Sequence, residues 1–289
     1  MNISLVTTNP EFEENDRIRT EVEALGHTFH LIDLTDFTFN TKDNKFNTRD
    51  LTDIKADIVI VRGILRSVLP IVVIIAGLRE KGIKVFDNNL LEHKYSIDKV
   101  TDLVKLSSSG VPIPDTAYSR NFDNYIQLAS DMGYPVIVKR TRTGKGMGVY
   151  KFERESELVE FIEKLRMEGQ DERGYLLQKY IPYNHDLRCL IIGDQIFTME
   201  RIPAEGEFRA NFSLGGSVKT YDLDEKSRDL VIRALNTIEM SVGGVDILIA
   251  EDKRYILEVN HIAGFLGMEK ATGANIGKVY VEHAIENAV

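Results

Sequence analysis

Two carboxylates and one amide stand at a spacing that suits a hard divalent cation. Residues 245–250 and 255–259 read as the strands of a hairpin around a Glu251-Asp252-Lys253 turn. Counting back from that turn places Asp246 roughly opposite Glu258. Asn260 shares the face of Glu258 through the two-residue repeat of a strand. Adjacent like charges repel unless a cation relieves them. Oxygen-only donors suit Mg2+ (or Mn2+), which usually completes its shell with phosphate oxygens and water. The plain alternative is an exposed polar edge, and the apolar flanks argue against it.

A glycine-rich loop, Thr143-Gly144-Lys145-Gly146-Met147-Gly148-Val149, lies between two strand patterns. Glycines at alternate positions let the backbone approach a ligand closely and aim N–H groups at phosphate oxygens. Lys139 at the end of the preceding strand and Lys145 within the loop add positive charge. The loop is neither a Walker A motif nor a dinucleotide fingerprint, because no Gly-Lys-Ser/Thr occurs and no helix follows directly. Taken alone it reads equally well as a flexible hairpin turn.

Cations recur elsewhere. Arg209 and Asn211 precede Leu214-Gly215-Gly216, and Arg188 and Arg201 lie on another hairpin. Such groups can clamp a transferring phosphoryl group or a substrate carboxylate, although a lone arginine more often makes a surface ion pair. The six histidines show no metal-ligand spacing, and Cys189, the only cysteine, sits in an apolar strand. No Gly-x-Ser-x-Gly elbow is present, which argues against a serine hydrolase.

The elements that must hold these groups alternate strand and helix over the first ninety residues. Strands are expected at 2–6, 57–61 and 83–86. A helix is expected at 15–25, and another is capped by Ser67 and ended by Gly82. The continuous apolar run 57–61 suits a strand buried on both faces. Strand–helix–strand repetition implies a parallel, Rossmann-like domain. Arg62 stands at the carboxyl end of its strand, where such sheets place ligands. It is expected either to anchor a substrate with Arg201 or to pair with a neighbouring acid. Beyond Ser96 come a helix at 97–109, strands at 135–139, 149–152 and 175–180, and a helix from about Ser156. A hairpin (187–192 and 195–201), a helix at 224–240, the 245–259 hairpin and a C-terminal helix follow.

The chain has 289 residues, 43% hydrophobic and 28% charged, an ordinary soluble globular profile with room for two or three subdomains. With 36 Lys plus Arg against 45 Asp plus Glu, the net charge is -9. That makes nucleic acid or an anionic membrane an unlikely main partner. A single cysteine excludes an intramolecular disulfide, and a reducing, cytoplasmic location is expected.

In chain order these pieces resemble the ATP-grasp superfamily and, within it, the RimK-like amino-acid (glutamate) ligases. The resemblance rests on Ser96-Ile97-Asp98-Lys99, Val136-Ile137-Val138-Lys139 with the glycine loop, Leu177-Gln178-Lys179-Tyr180-Ile181 and Asp186-Leu187-Arg188. It continues through Arg209-Ala210-Asn211 before Gly215-Gly216, Gly244-Val245-Asp246-Ile247-Leu248 and Leu257-Glu258-Val259-Asn260. The tail Gly267-Met268-Glu269-Lys270-Ala271-Thr272-Gly273 is especially RimK-like. Lys179 stands where the family commonly has Glu. His261 after Asn260 is closer to the LysX-type branch, which ligates amino acids to a carrier protein.

The resemblance implies an α/β chain in three parts: a Rossmann-like domain (1–95), an ATP-grasp lid (96–185) and a large subdomain with the metal and phosphate site (186–289). It implies that Lys99, Lys139 and the loop residues Gly144, Lys145, Gly146 and Gly148 meet ATP phosphates. Lys179, Tyr180 and Ile181 would read adenine and Asp186 the ribose. Arg209, Ala210 and Asn211 would face the γ-phosphate, with Arg188, Arg209 and Asn211 serving catalysis. Asp246, Glu258 and Asn260 would hold two Mg2+ ions. The expected activity is an ADP-forming carboxylate–amine ligase working through an acyl phosphate. It would join a glutamate-like amino acid to a protein, peptide or carrier, in a homo-oligomer. Its rivals are a glutamate ligase acting on a small-molecule cofactor tail and a non-catalytic nucleotide sensor.

Overall fold

The computed structural model describes residues 1–36, 38–42, 45–48, 54–64, 75, 77–87, 98–142, 148–210 and 217–289. Strand β1 (Asn2–Thr7), helix α1 (Glu13–Ala24) and strand β2 (Thr28–Asp33) open the chain, followed by a hairpin of β3 (Phe39–Lys42) and β4 (Lys45–Thr48). Strands β5 (Ile58–Val61) and β6 (Lys84–Phe86) complete a first sheet of order β2-β1-β5-β6, parallel throughout. Every residue of β5 is buried, as its unbroken apolar run requires. The helix expected after Ser67 begins outside the described residues; residues 77–80 are helical and end at Gly82, whose φ of 79° suits a residue without a Cβ.

Helix α2 (Lys99–Ser108) starts at Asp98, whose carboxylate accepts from the Thr101 N–H at 2.9 Å; Ser96 and Ile97 lie outside the described residues. Strand β7 (Thr116–Ala117), helix α3 (Asp123–Met132), strands β8 (Val136–Arg140) and β9 (Val149–Phe152), helix α4 (Glu155–Met167) and strand β10 (Tyr175–Lys179) follow. They form an antiparallel sheet of order β7-β10-β8-β9. Val136, Val138 and Leu177 pack with Leu158 and Ile162 in one core under α3 and α4. Strand alternation therefore turns Ile137 and Lys139 to the opposite face.

The third sheet, of order β13-β12-β11-β14-β15, is antiparallel. It comprises β11 (Asp186–Ile192), β12 (Gln195–Ile202), β13 (Ser217–Thr220), β14 (Val242–Ala250) and β15 (Lys253–Asn260). Helix α5 (Glu225–Thr237) covers one face, where Val231 and Ala234 share a core with Cys189, Val245, Ile247 and Ile256. Asp186, Arg188, Asp246 and Glu258 emerge on the other. The chain ends in α6 (Leu266–Thr272) and α7 (Ile276–Glu286). Tyr280 and Val281 of α7 share a core with Ile3 and Ile60 of the first sheet and Leu190 and Ile192 of the third. Val85 and Val289 exchange backbone hydrogen bonds of 2.9 and 3.2 Å. The C-terminal helix thus packs into the first sheet as well as the third, which the hydropathy pattern does not reveal.

The pattern also does not reveal β2 and α3. In β2 every residue is exposed or only partly buried, so no apolar run marks it. Helix α3 buries only Tyr125 and Ala129, too few positions for a clear 3.6-residue signal. No described helix is long and apolar enough to cross a membrane.

Candidate active site

The charged face of the third sheet is laid out by strand register. Arg188 of β11 pairs with Asp246 of β14, which pairs with Glu258 of β15, so the three side chains form a row across the sheet. Two residues along β11 on the same face, Asp186 pairs with Arg201 of β12. The row owes its register to a bulge: Ile247 pairs with Ile256, yet Asp246 pairs with Glu258, leaving Leu257 unpaired. Ile256 and Val259, three residues apart, consequently both face α5.

Each charge has a partner. The Arg188 guanidinium is in close contact with both Asp246 oxygens, donating from Nη2 to Oδ2 at 2.7 Å. Arg201 makes a two-point pair with Asp186 at 2.6 and 2.8 Å and reaches Asp246 Oδ2 at 3.0 Å. Lys99, the first residue of α2, donates to Glu258 Oε2 at 2.6 Å. Burial by itself raises the Glu258 pKa, but Lys99 and Arg188 overcome it and hold the carboxyl at about 2. Burial dominates at Asp186 and pushes its carboxyl up despite Arg201. Lys139 donates to Gln178 Oε1 at 2.6 Å, and Gln178 is itself held by Thr116. Burial, with nearby Lys99 adding repulsion, lowers the Lys139 ammonium to about 8.

Apart from Arg188 and Thr116, which are not among its lining residues, these groups line one cavity of about 110 Å3 between the second and third sheets. Lys99, Lys139, Asp186, Arg201, Asp246 and Glu258 meet apolar walls from Ile137, Val149, Leu248 and Leu257. Lys179, Tyr180, Ile181, Arg209 and Ala210 complete the lining named by the sequence. The Lys179 and Tyr180 N–H groups are taken by the Asp115 and Pro135 carbonyls, at 2.8 and 3.2 Å. The Lys179 ammonium is bound to the Gly133 carbonyl at 2.6 Å. Arg209 is clamped by Glu207, at 2.6 Å from Nη2 and 3.0 Å from Nε.

Gly148 adopts φ 72°, and a Cβ there would come within 2.8 Å of the Arg140 side chain. Gly144, Lys145, Gly146 and Asn211, like Gly215-Gly216, lie outside the described residues.

Asn260 pairs with Gly244, where a Cβ would stand 3.3 Å from Asn260 Cβ and 2.9 Å from Ala263 Cβ. The missing side chain at Gly244 is what lets Asn260 pack there. The Asn260 Nδ2 is buried without a hydrogen-bond partner among the described residues, a costly state unless the amide serves a ligand. Two carboxylates on one strand pair beside a buried amide fit a hard cation. Among the described residues no three His, Cys, Asp or Glu side chains cluster as a full cage, so an ion here would draw the rest of its shell from phosphate and water.

Arg62 is buried outside the cavity lining: its Nη2 donates to the Ala263 carbonyl at 2.7 Å, and its guanidinium lies 5.6 and 5.3 Å from the Phe265 and Tyr280 ring centres. It staples the first sheet to the C-terminal segment. Arg201 does line the cavity, but its guanidinium is engaged by Asp186 and Asp246, so it braces two carboxylates. Sequence reasoning misses Gln178, Tyr183 and Phe208, which also line the cavity. Strand alternation offered a signal for Gln178, two positions from Leu176 across from Lys139; for the loop residues Tyr183 and Phe208 none existed.

Residues 96–284 match the RimK-like ATP-grasp domain. The probable alpha-L-glutamate ligase 2 of Pseudoalteromonas atlantica is 28% identical over 296 residues, covering 100% of this chain and 96% of that protein. N-acetylaspartylglutamate synthase A of Homo sapiens is 31% identical over 196 residues, 65% of this chain and 49% of the synthase, so the chain spans about half of its length. Among solved structures, the ATP-grasp ligase PsnB complexed with a phosphomimetic variant of a minimal precursor, Mg and ADP superposes with a TM-score of 0.73. It is 17% identical, and the alignment covers 98% of this chain and 97% of PsnB, so the shared fold includes the first sheet. The chain belongs to the RimK-like ATP-grasp family of ligases.

Proposed function

We propose that this chain is an ADP-forming carboxylate–amine ligase that adds glutamate or a similar amino acid to a protein or peptide terminus or to a carrier protein. The observation that carries the reading is the pair Asp246–Glu258, braced by Arg188 and closed by Lys99, on the wall of a cavity that Lys139 also lines. Cations and carboxylates alternate there, which suits a polyphosphate brought in with a metal. The names of the glutamate ligase and synthase relatives support glutamate as the amino acid.

Asp246, Glu258 and Asn260 would hold Mg2+, two ions on this reading, and Mg2+ when bound neutralises phosphate charge. Lys99 and Lys139 would exchange their present partners for phosphate oxygens. Ile181 is left to offer its N–H to adenine, because those of Lys179 and Tyr180 are engaged. Asp186, oriented by Arg201, would accept from the ribose, and Arg209 would leave Glu207 for the γ-phosphate alongside Asn211.

A substrate carboxylate oxygen attacks the γ-phosphorus, the bond to the ADP oxygen breaks, and an acyl phosphate forms. The amine nitrogen then attacks the acyl carbon, loses a proton, and phosphate leaves with its C–O bond pair. Positioning and charge neutralisation supply most of the rate. On this reading the segment 112–181 closes over the nucleotide as a lid.

The test measures ADP release with an amino-acid panel against protein, peptide and small-molecule carboxylates. ADP and an amide-linked product formed only when a carboxylate and an amine are both present supports the reading. Nucleotide binding without turnover across the panel would leave a sensor.

A further inference from the structure

Successive residues of β8 point to opposite faces, so Lys139 serves the nucleotide cavity and Arg140 does not. Arg140 instead opens onto a separate cleft of about 830 Å3 at the end of the second sheet, which it lines with Arg120, Arg142 and Arg173. Four arginines meet only two aspartates there, in a chain of net charge -9. Asp171 is bound by Arg173 at 2.8 and 2.9 Å, and Asp98 caps α2. Among the described residues Arg140 bonds only neutral groups, Gln170 and the Tyr175 hydroxyl. Arg120 and Arg142 are exposed and make no hydrogen bond or ion pair among the described residues. Arg120 acts on Asp171 at longer range, so among the described residues Arg140 and Arg142 have no carboxylate partner and the cleft keeps a surplus of positive charge.

The cleft continues along α2. Val100 and Tyr118 line both it and a neighbouring trough of about 200 Å3 formed with Leu103, Val104 and Ile113. Val104 is 59% exposed and Tyr118 40% exposed, two large side chains that present apolar surface to solvent. Arginine forks match carboxylate geometry, and the aliphatic trough offers a seat for an apolar side chain. A nucleic acid would find an equal charge attraction but no use for an aliphatic floor.

We propose that this groove, outside the ATP cavity, docks an acidic polypeptide segment carrying an apolar residue, with Arg120, Arg140 and Arg142 taking its carboxylates and the Val100–Val104 face of α2 taking its apolar side chain. As part of the ligase reading it would hold the acceptor polypeptide; the docking itself needs no turnover, so it is tested in the absence of reaction.

The probe is a fluorescein-labelled peptide of four glutamates, a leucine and four glutamates, titrated with the full chain and read by anisotropy. Binding should weaken as salt is added and should persist with a saturating non-hydrolysable ATP analogue, because the sites are separate. Arg120→Glu with Arg142→Glu should weaken it by about tenfold or more while leaving the ATP-analogue affinity and thermal midpoint unchanged. Val104→Asp should remove the preference for this peptide over one of nine glutamates. Absence of binding by the wild-type chain, undiminished binding by the double variant, or displacement by the ATP analogue overturns the proposal. Tighter binding of a single-stranded oligonucleotide at the same arginines also overturns it.

Discussion

Asp246 and Glu258 face each other directly across β14 and β15 because Leu257 bulges out between the pairs Ile247–Ile256 and Asp246–Glu258. In an unbroken ladder Asp246 would oppose Leu257, and Glu258 would turn toward α5 and its apolar core. One extra residue thus brings two carboxylates to the cavity face, where Arg188 and Lys99 balance them. Glu258→Gln keeps the size and packing but removes the charge, so the fold should persist while turnover falls by about 10²–10³. Circular dichroism and ADP formation measured on the same sample check this. Near-native turnover would remove Glu258 from the metal and phosphate site.

Arg201 holds two buried carboxylates at once, Asp186 and Asp246. Truncating a buried pair on one side leaves charge without compensation, so Arg201→Leu should cost about 3–5 kcal/mol of stability. Urea unfolding reads this directly. A loss under about 1 kcal/mol would mean that water reaches the pair.

For Arg62 the kinetic expectation follows from its contacts. Arg62→Ala removes a charged hydrogen bond to Ala263 and the stacking on Phe265 and Tyr280, which should destabilise the chain by roughly 2 kcal/mol. The KM values for ATP and for the carboxylate should stay near wild type once the variant is folded. A rise confined to the carboxylate KM would restore the substrate-anchor role.

Lys139 sets a pH signature. Its ammonium is lowered from 10.5 to about 8 by burial, so between those values the unfolded chain binds more protons than the folded one. Apo stability should therefore rise with pH across that window, as the buried charge is relieved. Phosphate binding favours the ammonium and raises its pKa. ATP binding at pH 8–9 should take up a proton at Lys139, which calorimetry in buffers of different ionisation enthalpy detects. Lys139→Met should abolish that uptake; uptake unchanged in the variant would assign the proton elsewhere.

Much of the site was legible because strand alternation and chain order carry it. Asp246 and Glu258 are found as partners by counting from a three-residue turn, Glu251-Asp252-Lys253. In the structure Lys253 already pairs with Ala250, and the odd residue sits at Leu257 instead. The count reaches the right pair because an extra residue in the turn and one in the ladder shift register equally. Bulge position depends on packing against α5, and local sequence does not encode it. The surroundings of Arg62 are hidden for a similar reason: its position after a buried strand is local information, whereas Ala263, Phe265 and Tyr280 arrive from two hundred residues away. The ion pairs that occupy Arg201 are nearer in sequence, with Asp186 on the same hairpin and Asp246 on the adjoining strand.

The acyl phosphate is the centre of the account, and isotope transfer tests it most directly. The acceptor carboxylate found in the ADP-release panel is labelled with oxygen-18, and the phosphate released with ATP, Mg2+ and glutamate is analysed by mass spectrometry. Attack of that carboxylate on the γ-phosphorus predicts one labelled oxygen in each phosphate, with ADP as the only nucleotide product. Unlabelled phosphate, or AMP with pyrophosphate, would contradict it.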